Sequence, residues 1–161
     1  RNALRMRADR LIVGEVRGAE VFDMLQAMNT GHEGSMTTVH ANSTEDALRR
    51  LESLVLLAGF PLPSSAIREL LGATIQVIVQ VRRFADGTRR VVGIDEVSFA
   101  DGRIGVTPVF VFKNGRHQAT GAAPRFAEGR NNPLEVSRSI ELNTFQSPES
   151  RVMDTAEEVL E

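Results

Sequence analysis

The hydrophobic pattern changes period once, and that change divides the chain. Leu11-Ile12-Val13-Gly14-Glu15-Val16 is a short apolar run, the mark of a buried strand in a mainly parallel sheet, with a charged Glu15 inside it. Val21, Phe22, Leu25 and Met28 recur at helical spacing, and Gly31 is placed to cap that helix. Met36-Thr37-Thr38-Val39 is β-prone and predicts a second strand ending at His40-Ala41-Asn42. Ser43 is an N-cap with Asp46 in the first turn, ahead of an apolar face of Ala47, Leu48, Leu51, Leu54, Val55 and Ala58 that Gly59 ends. Pro61 and Pro63 make a turn, and Ser64 or Ser65 caps a shorter helix carrying Ile67, Leu70 and Leu71. Strand, helix, strand, helix, helix is an α/β order.

From Ile75 the period is two: Ile75, Val77, Val79 and Val81 alternate with their neighbours. Turn signals follow at Asp86-Gly87, Asp101-Gly102 and Asn114-Gly115. Residues 74–121 therefore predict a four-strand antiparallel meander. Phe-Ala-Asp-Gly occurs twice, at 84–87 and 99–102, and reads as recurring turn chemistry rather than an internal repeat. After Pro124 the chain is polar and loop-like, with a weak helix predicted from about Ser150, carrying Val152, Met153 and Ala156 on one side.

Composition sharpens this in a few places. With 161 residues, 42% hydrophobic, the chain suffices for one core, or a core with a small lobe. A net charge of −2 makes no composition-level case for nucleic acid. Lys113 is the only lysine beside eighteen arginines, and it lies in Val111-Phe112-Lys113-Asn114. A phosphate-binding loop needs Gly-Lys-Ser/Thr, so this sequence contains none. With no cysteine there is no disulfide or thiolate metal site, which fits a reducing compartment. No apolar run approaches the ~20 residues that cross a bilayer. The basic start lacks a signal core, and with no initiating Met we read this end as a cut.

Three groups carry candidate chemistry. Glu15 sits at the C-terminal end of its strand, where α/β proteins bind ligands. In a nucleotide hydrolase such a carboxylate holds Mg²⁺ through water or polarises the attacking water. The plain alternative is a strand-end glutamate paired with Arg17 or Arg5. The second group spans residues 30–42, where His32, Thr37, Thr38, His40 and Asn42 can all donate to a phosphoryl oxygen. Zinc held by His32, Glu33 and His40 is a rival reading, but the spacing is not His-Glu-x-x-His and a further ligand is lacking. Two satisfied loop histidines are the plain alternative. Third, Arg5, Arg7, Arg10 and Arg17 bracket the Glu15 strand and suit phosphate contacts or a solvated surface. Arg82, Arg83, Arg89 and Arg90 face solvent, an oligomer interface or anionic lipid heads.

Taken together, residues 1–17 resemble the Walker B region of type II/type IV secretion ATPases, and residues 30–42 look like their histidine box at the right distance downstream. Met24-Leu25-Gln26-Ala27-Met28-Asn29 and Ala47-Leu48-Arg49-Arg50-Leu51-Glu52 point to the CpaF/TadA, tight-adherence pilus branch. The likeness is dense over residues 1–83 and looser to about Phe126, and we match no family pattern to the residues after it. It implies an α/β fold: a partial RecA-like P-loop NTPase core holding the Walker B and histidine-box half, with an antiparallel β-meander lobe. The implied division is 1–73 for the partial core, 74–121 for the meander completing the ATPase domain, and 122–161 for a loop-rich tail. It further implies a cytoplasmic hexameric ring, peripheral to the inner membrane, working on a platform protein there, with ATP and Mg²⁺ as cofactors and no nucleic-acid partner. By position, Glu15 is the Walker B carboxylate that reaches Mg²⁺ through water, with Arg17 supporting it. His32 and His40 attend the γ-phosphate, with Thr37 and Arg5 on the nucleotide side. The family's phosphate loop, aspartate box and N-terminal domain would precede Arg1, and Ala8 stands where many members have Pro. The chain alone is then expected to be inactive. A non-catalytic module docking onto a secretion ring, or a metal hydrolase, are the alternatives.

Overall fold

The computed structural model describes residues 8–32 and 34–125. Arg5, Glu33, the tail and its expected terminal helix lie outside them. The elements run β1 (Ile12–Val13), α1 (Glu20–Asn29), β2 (Met36–Thr37), α2 (Thr44–Leu57), α3 (Ser64–Thr74), β3 (Val77–Arg83), β4 (Arg89–Ala100), β5 (Arg103–Lys113) and β6 (Arg116–Ala119). The chain divides at Ala122, and these nine elements of the described residues fall in the first unit.

β1 and β2 pair in parallel, Ile12 opposite Met36 and Val13 opposite Thr37, with α1 as the crossover. Backbone bonds extend the pairing at both ends, from Met36 N–H to the Leu11 carbonyl (2.9 Å) and from Val16 N–H to the Thr38 carbonyl (3.2 Å). The expectation of a fully buried strand is corrected here. Leu11, Val13 and Glu15 turn inward while Ile12 is 76% exposed and its partner Met36 57%. Among the described residues, helices pack on one face of this strand pair, where Val13 and Val39 meet the core, so burial alternates as it does on a one-sided sheet.

Val16, Val21, Leu25, Val55, Ile67 and Leu71 are almost wholly buried at the centre of the helical layer. α2 begins as its sequence predicts: Ser43 is extended (φ −146°, ψ 170°) and its Oγ accepts from the Asp46 N–H at 3.1 Å. α3 begins differently. Pro63 is its N-cap and makes no side-chain cap bond, so Ser64 and Ser65 both lie inside the helix. Proline presets its own φ near the helix entry, and its extended ψ of 150° turns the chain in without a hydroxyl.

β3 to β6 form an antiparallel meander in sequence order. Asp101-Gly102 and Asn114-Gly115 have positive φ at both positions, the geometry that matches strand twist in a two-residue turn. The first hairpin instead uses a longer loop closed by Phe84 N–H to the Thr88 carbonyl (2.8 Å). The two Phe-Ala-Asp-Gly segments are thus not equivalent: Phe99 and Ala100 are paired within β4, whereas Phe84 and Ala85 are loop. α3 approaches β4 closely at Gly72, where a Cβ would stand 2.6 Å from Phe99 Cβ.

Candidate functional site

Parallel pairing places the C-terminal ends of β1 and β2 side by side, and the candidate chemistry collects there. Thr38 fastens the two ends: its hydroxyl donates to the Gly14 carbonyl while its own carbonyl accepts from Val16 N–H. One residue past Gly14, the Glu15 carboxylate is largely covered, with its side chain 20% exposed. Arg17 Nη2 lies 2.5 Å from Glu15 Oε2, and His40 Nε2 lies 3.2 Å from Oε1. Both partners come from loops and stay mostly exposed, Arg17 at 73% and His40 at 79%. The Arg17 hydrogen bond and charge, then His40 and Arg50, hold the Glu15 carboxyl below its ordinary value, against the opposing effect of burial. Reciprocally, Glu15 raises Arg17.

The loop that presents Arg17 is itself held. Glu20 Oε1 accepts from the backbone N–H of Arg17 (2.6 Å) and of Gly18 (2.9 Å), which lowers the Glu20 pKa. The segment that presents His40 is held from the meander side. Gln80 Nε2 donates to the Ala41 carbonyl at 3.2 Å, and the buried Thr44 hydroxyl donates to Asp95 Oδ2.

The structure brings Glu15, Arg17 and His40 together and leaves other candidates apart. His32 Nδ1 donates to the Ala27 carbonyl at 3.2 Å, so the ring is tied to the end of α1 rather than to Glu15. Thr37 is half-buried on the β2 face shared with Val39, while Thr38 is the hydroxyl that reaches β1. Arg5 lies outside the described residues. Among those residues, no group of three or more His, Asp or Glu is placed to hold a metal ion. His32 and His40, the two described members of the zinc alternative, are engaged separately, by Ala27 and Glu15.

Glu20, Arg50 and Gln80 were not singled out as site residues by sequence, and Thr38, named as a phosphoryl donor, instead donates to the Gly14 carbonyl. Glu20 carried a readable signal, an acid in the first turn of a helix. Gln80 carried none, being one polar position in an alternating strand.

Comparison with known proteins gives a consistent result. The profile of the family described as Type II/IV secretion system protein matches residues 1–147. A putative conjugal transfer protein of Mycobacterium tuberculosis is 47% identical over 110 residues, covering 68% of this chain and 31% of that protein. The type IV secretion system protein PtlH of Bordetella pertussis is 42% identical over 95 residues, covering 56% of this chain and 27% of that one. The crystal structure of the VirB11 ATPase from the Brucella suis type IV secretion system, in complex with sulphate, superposes with a TM-score of 0.53 at 38% identity. That match covers 57% of this chain and 29% of the Brucella chain. The chain thus spans less than a third of the length of these relatives. With the profile matched over most of its length, the chain belongs to the Type II/IV secretion system protein family.

Proposed function

We propose that this chain is the C-terminal part of a secretion ATPase of the CpaF/TadA branch, a partial RecA-like core whose Glu15 serves ATP hydrolysis. The observation that carries the reading is the Glu15 carboxylate at a parallel strand end, with Arg17 and His40 on its two oxygens. The donor set fits the metal-water and γ-phosphate side of a nucleotide. It offers one ionised carboxylate, two exposed cationic or donor side chains, and hydroxyls on the neighbouring strand. It does not fit the β-phosphate cradle, because Lys113 is the only lysine and lies at the end of β5.

When bound with ATP, Mg²⁺ would neutralise negative charge on the phosphates and polarise the γ-phosphoryl group. Glu15 contributes a carboxylate kept ionised by Arg17, able to orient a water on the metal or at the attacking position. Arg17 and His40 offer N–H donors at that carboxylate, and their exposure leaves them free to turn toward an arriving phosphoryl group. His32, held through Nδ1 on the Ala27 carbonyl, keeps its second ring nitrogen for a phosphoryl contact. The complete protein works as a hexameric ring in the cytoplasm, peripheral to the inner membrane, and drives a platform protein for pilus assembly or export. No described helix is long and apolar enough to cross a membrane.

The test is to read the coding sequence upstream of Arg1 for an in-frame Gly-Lys-Ser/Thr, express the longer chain and measure phosphate release. Glu15→Gln in that chain is expected to lower turnover by about 10²-fold or more, as loss of a preorganised catalytic group does. The 161-residue chain alone is expected to release none. Unchanged turnover in the Gln variant, or an upstream frame without the loop, overturns the proposal.

A further inference from the structure

The antiparallel order of the meander puts the β3–β4 and β5–β6 turns at one end of the sheet and the β4–β5 turn at the other. The two-turn end is strongly basic. Arg82 stands opposite Arg90 and Arg83 opposite Arg89 on β3–β4, and Lys113 stands opposite Arg116 on β5–β6. All six are exposed, and Asp86 is the only acid in residues 79–93 and 110–119. Asp86 is taken by Arg90 at 3.0 Å, whose guanidinium also lies 5.2 Å over the Phe84 ring. Among the described residues, Arg82, Arg83, Arg89, Lys113 and Arg116 make no ion pair.

Like charges directly opposite each other weaken a sheet. Three such pairs at one end, in a chain of net charge −2, act against folding unless an anion meets them. We propose that this paired hairpin tip is a docking surface for an anionic lipid bilayer.

Two features favour a bilayer over other polyanions. Arg82 and Arg83 are consecutive on a strand and project to opposite faces, so a peptide or helix lying on one face meets only half the cations. A broad anionic surface approached by the tip meets all of them, because long arginine stems bend toward it. Val79 and Val81, each 51% exposed, share the face of Arg83 and run straight into the tip. Apolar side chains beside cations suit the headgroup and acyl boundary, whereas a phosphodiester backbone gains nothing from valine. At the tip Phe84 and Phe112 are half-buried beneath Arg90, and the exposed His117 ring is held by the Val91 carbonyl and packed on Phe112, so among the described residues no free ring is offered there for base stacking. The inference deepens the peripheral membrane location proposed above and does not need the ATPase reading, since no nucleotide enters its test.

The 161-residue chain is to be cosedimented with vesicles of phosphatidylcholine alone, and of phosphatidylcholine with one third phosphatidylglycerol. Binding is expected only to the second, weakening steeply with salt. Each surface arginine contributes about fivefold, so Arg83→Gln with Arg89→Gln lowers binding roughly 25-fold. This pair of changes removes a repulsive cross-strand contact, so its thermal midpoint is expected to be at or above that of the parent chain, which separates lost docking from lost fold. Arg49→Gln with Arg68→Gln changes net charge equally, away from the tip, and is expected to leave binding intact. Equal binding to neutral vesicles, equal loss in the second variant, or tighter binding to duplex DNA than to anionic vesicles in the same buffer overturns the proposal.

Discussion

Replacing Gly72 by alanine tests how closely the helical layer is seated on the meander. In α3 the change favours the helix, since alanine is ~0.8–1.0 kcal/mol better than glycine in a helix interior. Against this, the new Cβ would lie 2.6 Å from Phe99 Cβ, 3.0 Å from Cδ2 and 3.1 Å from Cγ. Carbon atoms settle at about 3.5–4.0 Å, so α3 and β4 must separate by about 1 Å. Rotating the Phe99 ring does not relieve this, because the nearest atom is a Cβ fixed to the β4 backbone. Overpacking of this kind costs ~1–3 kcal/mol. The net expectation is a loss of about 1 kcal/mol, against a gain of similar size if propensity acted alone. Urea unfolding of parent and variant, followed by circular dichroism, reads the difference as a lower midpoint at unchanged slope. A midpoint equal to or above that of the parent chain refutes the reasoning: the helix–sheet contact would then have room that the close approach denies.

Thr44→Val removes the hydroxyl that bonds Asp95 while keeping the shape, and is expected to cost ~1.5–3 kcal/mol, as for a hydrogen bond to a charged group. A denaturation midpoint unmoved by the change would show the link to be idle. Glu15, held down chiefly by the Arg17 hydrogen bond, is expected to titrate below 4.5 by carboxyl NMR, and Arg17→Ala should raise it toward that value. Because the folded pKa is the lower one, the unfolded chain takes up protons first. The contribution of Glu15 to stability is therefore present above about 4.5 and lost as pH falls through the folded value. A Glu15 midpoint at or above 4.5 in the parent chain contradicts the geometry.

Much of the helical layer was legible because its signals are local. The Ser43 cap, the apolar face of α2 and the three turn pairs each depend on residues within one or two turns of chain. Placing Glu15 at a strand end needed only the apolar run around it. The resemblance to secretion ATPases rested on two linked segments in order, and the family match is consistent with it at the level of type II/IV secretion proteins. The α3 N-cap differs from the local signal of Ser64 and Ser65 because Pro63, with its extended ψ, turns the chain into the helix one residue earlier and leaves both serines inside it.

By itself the sequence determined the periods, the turn positions, the absence of a Gly-Lys-Ser/Thr loop and the presence of an acid inside an apolar strand. Only the tertiary structure decided that Arg17 and His40 close on Glu15 while His32 stays on α1. That selection depends on the β1–β2 register, Val13 opposite Thr37, which sets which downstream side chain arrives beside the carboxylate. It likewise decided that Ile12 is exposed and that six cations face one another in pairs across two hairpins. Periodicity assigns a residue to a face of its own element; which residue stands opposite it is a property of pairing between elements distant in sequence.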